Sequence, residues 1–306
     1  MVEKTPILDT LTYIFLIAGI VIVGFPIIYA IIAATLPIED VSRVPMPMIP
    51  GDQFFVNMRM AWEKGNLGSN LMNSLIMASG ITIGKITISM LGAFSIVYFD
   101  YRFRTVAFVS VFCTLMLPVE VRILPTYEMA ANVFGPLQKV WEMFHLNGLA
   151  TWIAGHDIEI ALEWSLLDSY TGLIMPLVAS ATCTFLFRQF FLTIPEELCE
   201  AAKMDGASAM TFFRKILLPL SKTNIAALVV IEFVYGWNQY LWPLLITTNP
   251  KMMTAVIGLQ QLIPAADDLP YWNVAMAAAL IVMLPPILVV LLMQRWFVKG
   301  LVEPEK

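Results

Sequence analysis

Charge is what this chain has least of. Only 13% of its 306 residues are Asp, Glu, Lys or Arg, while 59% are hydrophobic. A soluble domain carries about twice that share of charge. The formal net charge of −5 excludes the basic surface that would hold a nucleic acid. Cysteine is scarce as well. Cys113, Cys183 and Cys199 have no metal-ligand spacing and no disulfide framework, and they read as small hydrophobes. The two histidines, His145 and His156, have no third ligand type beside them and read as solvated surface residues, so no metal site is expected. GKIT at Gly84 to Thr87 lacks both the glycine spacing and the Ser or Thr of a phosphate loop. No nucleophile stands beside a base. Catalysis by this chain alone is not expected, and no cofactor of its own.

Long apolar runs take the place of all this, and the mean hydropathy is +0.77. Runs at roughly 11–36, 71–99, 105–121, 171–191, 224–246 and 274–297 approach or reach the about 17–25 residues that a helix needs to cross a bilayer. The third is marginal before Pro118, and Pro26 is expected to kink the first. The reading is an all-α polytopic membrane protein with six transmembrane helices, a single permease-like domain over residues 1–306. The first run is too long for a signal-peptide core, and no cleavage site follows it, so it is read as an uncleaved span.

Basic residues set the orientation. Eleven, among them Arg102, Arg104, Arg188, Lys203, Arg214 and Lys215, fall in the shorter connections of one side, against six, including Arg43, Arg59, Arg122 and Lys251, on the other. The rule that positive loops stay inside places both termini and the 195–220 stretch in the cytoplasm. Between the third and fourth spans lies a long segment on the other side. Within it Leu137, Val140, Trp141 and Phe144 share one helical face, and residues 157–165 carry a second amphipathic pattern. Both are expected as short helices at a membrane surface or against a partner.

The polar stretch 195–220 interrupts the apolar runs. Pro195, Glu196 and Glu197 suit a helix start, since a missing N–H costs nothing there and the helix dipole favours acids. That helix is expected to run to about Asp205. Gly206 allows a left-handed turn, Ser208 caps a second helix, and Pro219 ends it. Glu200, Ala201, Ala202, Gly206, Ile216, Leu218 and Pro219 fit the pattern Glu-Ala-Ala, three residues, Gly, nine residues, Ile, one residue, Leu-Pro.

That stretch resembles the cytoplasmic loop of binding-protein-dependent ABC importer permeases, and it lies where they carry it, between the fourth and fifth spans. TLMLPVEVRI (114–123), FLFRQFF (185–191), PLSKTN (219–224), YGWNQYLWPLL (235–245) and MQRWFVKGLV (293–302) resemble the carbohydrate-type branch that imports sn-glycerol-3-phosphate. Residues 133–164 stand out from that resemblance as an extracytoplasmic insertion. The resemblance implies a type I permease fold in the bacterial inner membrane. It also implies a heterodimer with a second, homologous permease, two copies of an ABC ATPase that holds ATP and Mg, and an extracytoplasmic solute-binding protein. It gives the seven loop residues the role of coupling to the ATPase, with Glu200 pairing with a basic residue there. The substrate it implies is sn-glycerol-3-phosphate or a related glycerophosphodiester. Alternatives are an oligosaccharide importer or, from another class, an ATP-independent secondary transporter or channel, for which inverted repeats and paired broken helices would be the sign.

Ionisable groups inside spans are functional candidates. Lys85 lies mid-way along the second span and Glu232 within the fifth, so the two can pair. Alternatively Lys85, or Arg122 with Glu120 at the end of the third, can attract a phosphate. Asn238 and Gln239 can bond substrate hydroxyls or tie spans together. By the resemblance, Gln260 and Gln261 are candidates to touch the binding protein.

Overall fold

The computed structural model describes residues 6–114, 119–144, 163–263 and 271–302. All regular structure among them is helical, with no strand. The chain divides into two compact units: Met1–Gly68 with Ile257–Leu284, and Ser69–Val256 with Pro285–Lys306.

In the first unit, α1 (Pro6–Thr35) passes through Pro26 without ending there, and almost all its length is exposed apolar surface. Its C-terminal turn is buried, and the carbonyls that a helix end leaves without partners are met by side chains. Asn57 Nδ2 donates to Ala34 O and Leu36 O at 2.9 Å each, while Asn273 Nδ2 donates to Asn57 Oδ1 at 3.0 Å. Asn57 belongs to a helix in the connection between the first two apolar runs, where α2 (Ile38–Val41) and α3 (Phe54–Lys64) lie. The apolar alternation around Asn57 is too short to register as a span, and the buried asparagine disguises its inward face.

The second unit is built on α4 (Leu67–Tyr98), which starts at the unit boundary and is long and apolar enough to cross a membrane. Its Gly80 and Gly84 let another segment approach closely. A Cβ would sit 2.6 Å from Ile174 at the first and 2.7 Å from Val178 at the second, so small residues set this helix contact. Next come α5 (Arg104–Cys113), α6 (Val119–Ala131) and α7 (Gly135–Met143). The first helix in the region of the expected third span, α5, is thus ten residues long. The helix expected from Leu137, Val140 and Trp141 is α7. The second amphipathic pattern, with His145 and His156, lies mostly outside the described residues. The ends of the 133–164 segment are bonded neighbours: Val133 N donates to Trp164 O at 2.9 Å, and the Phe134 and Trp164 ring centroids are 6.0 Å apart.

The stretches expected as the fourth and fifth spans are broken rather than continuous. α8 (Tyr170–Ile174), a tight turn at Met175–Leu177 and α9 (Ala181–Phe191) bend by 50°. Ser89 of α4 donates its hydroxyl to the Ser180 carbonyl at the break, at 3.1 Å. Freed backbone groups at membrane depth require such a partner. The 195–220 stretch forms α10 (Glu196–Met204), α11 (Ala209–Phe212), a π-helical turn (Phe213–Leu217) and α12 (Leu218–Leu220). It then bends by 73° into α13 (Lys222–Trp237). Pro219 therefore does not end the second helix. It sits in the first turn of α12, where its missing N–H is tolerated, and the corner falls at Ser221. The fifth span stops at Trp237 and resumes as α14 (Leu241–Ile246). α15 (Ala255–Gln261) and α16 (Trp272–Val302) complete the chain. Among the described residues, three helices qualify as spans by length and composition, or up to five if each bent pair counts as one.

Candidate functional site

The 195–220 loop has two faces. Ala202, Phe212, Phe213 and Leu217 are buried in one apolar core with Met90, Ala93 and Phe94 of α4, Cys183, Phe187 and Phe191 of α9, and Leu228 of α13. Aromatic contacts fasten it: Phe94 to Phe213 at 5.1 Å and Tyr98 to Phe212 at 5.2 Å between centroids. Glu200, Ala201, Gly206, Leu218 and Pro219 are exposed, and Met204 is 83% exposed. The seven motif residues thus divide. Ala202 and Ile216 face the core, and the other five face outward.

The elbow has a defined geometry. Gly206 has φ +74°. Its N–H donates to Lys203 O at 3.0 Å, and the Ala207 N–H reaches back to Ala202 O at 2.9 Å. This pair of reversed bonds is the Schellman ending of a helix, with Ala202 and Ala207 supplying its usual apolar contact. Nothing lies within 4 Å of a Cβ added to Gly206, so the demand for glycine is one of backbone angle and not of space. Ser208 then caps α11 by accepting from Thr211 N at 3.2 Å.

Lys85 and Glu232 meet inside the second unit. Lys85 Nζ lies 2.7 Å from Glu232 Oε2, with the two side chains 7% and 6% exposed. Cys183 donates its thiol to Glu232 Oε1 at 2.8 Å, and the ammonium lies 3.6 Å from the centroid of the Tyr235 ring. Every charge in the cluster is answered: the carboxylate accepts from an ammonium and a thiol, and the ammonium has a carboxylate and a ring face. Sequence reasoning proposed the pairing but missed both neighbours. Tyr235 is one helical turn beyond Glu232, a signal that was available. Cys183 had none, since nothing in the sequence says that its span packs there.

The other candidates are dispersed. Arg122 is exposed on α6, while Glu120 belongs to α6 but its side chain lies outside the described residues. Asn238 is exposed at the break after α13. Gln239 Nε2 donates to Tyr235 O at 3.2 Å, replacing a backbone donor that the break removes. Gln260 and Gln261 are exposed at the end of α15. A further site went unnoticed in the sequence. Asp168, at φ +51°, accepts from Thr248 N at 2.7 Å, Thr248 Oγ1 at 2.6 Å and Asn249 N at 2.8 Å. The Thr248 hydroxyl, followed by the Asn249 N–H, holds its carboxyl below the ordinary carboxylate range.

A family model described as "Binding-protein-dependent transport system inner membrane component" matches residues 85–303, which takes in the loop, the ion pair and both broken spans. The chain belongs to this family. It is thus a multi-pass inner-membrane transport component of the ABC importer permease kind, not an enzyme family member. Over its full length this permease is 49% identical to the sn-glycerol-3-phosphate transport system permease protein UgpE of Pectobacterium atrosepticum, whose whole length is covered too. Identity to the proteins of that name is 48% in Yersinia pestis and 47% in Agrobacterium fabrum, again with full coverage of both chains. Among solved structures, a bacterial ABC transporter involved in the import of the acidic polysaccharide alginate has a chain that matches with a TM-score of 0.73. The match covers 97% of this permease and 99% of that chain at 18% identity, a likeness of fold.

Proposed function

We propose that this permease is one subunit of an ATP-driven importer of sn-glycerol-3-phosphate or a glycerophosphodiester. In this reading it forms half of the translocation pathway beside a second, homologous permease. Two ATPase subunits, which bind ATP and Mg, dock from the cytoplasm, and a solute-binding protein delivers substrate from outside. The observation that carries the substrate class is the end-to-end similarity to permeases bearing that name.

The coupling step follows from the loop. α10 offers Glu200 and Ala201 outward, where a small side chain permits close approach and a carboxylate suits a basic partner. Its other face is locked by Ala202, Phe212 and Phe213. A load applied at Glu200 is therefore passed to α4, α9 and α13 as rigid-body motion, because packed aromatic cores deform little. Orientation with the loop and both termini in the cytoplasm is part of the proposal, as is contact of Gln260 and Gln261 with the binding protein.

The test is uptake by the complex reconstituted with its ATPase and binding protein, across a panel of glycerophosphates and neutral sugars. Glycerophosphate uptake is expected, and Glu200→Ala is expected to abolish it while the permease still inserts and folds. Uptake of neutral sugars alone would overturn the substrate assignment, and normal uptake by Glu200→Ala would overturn the coupling role.

A further inference from the structure

Two cations compete for the role of phosphate contact, and their surroundings separate them. Lys85 is buried, and its charge is already met by Glu232 at 2.7 Å and by the Tyr235 ring. To bind an anion it would first have to abandon a carboxylate whose other partner among the described residues is the Cys183 thiol. A carboxylate stripped of its ammonium in such a place is costly. Net charge in that cluster is zero, so it offers no attraction to an anion at a distance.

Arg122 has the opposite setting. It stands at one end of a single face of α6, in helical register with Pro125, Thr126 and Met129. That face forms one side of an open, largely apolar groove of about 430 Å³, with Leu166 and Met175 on the other side. The groove is large enough for a small organophosphate and carries one charged side chain among its lining residues. Arg122 forms no ion pair among the described residues.

We infer that Arg122 is the specificity-determining cation that holds the substrate's phosphate in this groove, and that the Lys85–Glu232 pair is a structural tie with no substrate contact. A planar guanidinium with paired donors matches a phosphate's oxygens, and the open groove lets the substrate reach it. The inference rests on the proposed import of an organophosphate.

Three variants of the full complex test it: Arg122→Gln, Arg122→Lys and the double variant Lys85→Met/Glu232→Gln. Co-purification of all subunits reports that each folds and assembles. With saturating loaded binding protein, Arg122→Gln is expected to lower sn-glycerol-3-phosphate uptake roughly ten- to hundredfold, the loss of a hydrogen bond to a charged group. Arg122→Lys, which keeps the charge and loses the fork, should fall between it and wild type. The double variant should stay within about threefold of wild type, because it orphans neither charge. Wild-type uptake by Arg122→Gln would overturn the inference while leaving the proposed function standing. So would equal loss in both Arg122 variants, or loss of uptake in an assembled double variant. A wild-type complex that imports neutral sugars and no glycerophosphate would overturn the proposed function itself.

Discussion

The Lys85–Glu232 pair makes a strong prediction about stability. Lys85→Met removes the ammonium 2.7 Å from Glu232 and leaves a carboxylate 6% exposed whose remaining described partner is the Cys183 thiol. Breaking a buried pair from one side costs about 3–5 kcal/mol, because the surviving charge has neither water nor partner. Glu232→Gln should cost less. The ammonium keeps the Tyr235 ring at 3.6 Å, a contact worth about 2 kcal/mol when desolvated, and the new amide oxygen can still accept from Lys85. In the double variant both charges are gone, the amide still accepts from the thiol, and methionine fills the volume of the lysine stem. Its cost should be within about 1 kcal/mol of zero. The double-mutant cycle should therefore yield a coupling of at least about 2 kcal/mol. Denaturation of the purified permease in mixed micelles measures it, with all four proteins at one pH. Additive costs, or a Lys85→Met variant as stable as wild type, would refute the reasoning, since either result means that the carboxylate finds water or another cation.

Two other predictions concern backbone geometry. Gly206→Ala should cost about 1–2 kcal/mol in the loop, since a left-handed residue is strained whatever the space around it, and Gly206→Asn should cost less because asparagine tolerates that region. Hydrogen exchange at the Ala207 amide, which closes the turn onto Ala202 O, should accelerate in the order glycine, asparagine, alanine, and equal rates in all three would remove the dihedral argument. At Asp168 the carboxyl is held below its ordinary range by the Thr248 hydroxyl and the Asn249 N–H, so the ionised form is favoured in the folded state. A lowered folded pKa adds stability that is complete above the unfolded value of about 4 and is lost as pH falls through the folded value. The Thr248 and Asn249 amides should lose exchange protection over that acidic window in wild type, whereas Asp168→Asn, which keeps the left-handed backbone, should show no such step.

The loop was the most legible part of the chain because its signals are local. A proline with two acids, a glycine and a serine each act within one turn, and α10, the Gly206 elbow and the Ser208 cap all follow from them. Pro219 misled because proline is read alike as a stop and as a first-turn residue, and only the 73° corner decides between them. The breaks in the fourth and fifth spans were hidden for a different reason. A hydropathy window registers composition over the whole run, and residues 178–180 and 238–240 are too few to lower it. What tolerates those breaks lies far away in sequence, in Ser89 for the first, or within the break itself, in Gln239 for the second. Asp168 was missed because its partners lie some 80 residues on, and a lone acid in a polar segment looks the same whether it clasps a loop or meets only water.

The ion pair and the aromatic core tie the same three helices at two levels. On α4, Lys85 precedes Phe94 by nine residues; on α9, Cys183 precedes Phe191 by eight; on α13, Glu232 follows Leu228 by four. At 1.5 Å per residue, the tied length is about 13.5 Å on α4, 12 Å on α9 and 6 Å on α13, and Cys183 belongs to both the charge cluster and the core. A contact at one point would let these helices pivot about it when the loop is pushed. A tie continuous over that length opposes the pivot, so in the proposed coupling α4, α9 and α13 are expected to respond as one body. The bends at Ser180 and Ser221 then lie where motion can enter or leave that body, and each is bridged by a serine hydroxyl, from Ser89 onto the Ser180 carbonyl and from Ser221 onto the Leu217 carbonyl at 2.6 Å. The tie is one of packing rather than of charge: methionine and glutamine at positions 85 and 232 keep the filled volume. The double variant is therefore expected to hold the three helices in register, as the proposed coupling through the loop requires, and to keep uptake near wild type.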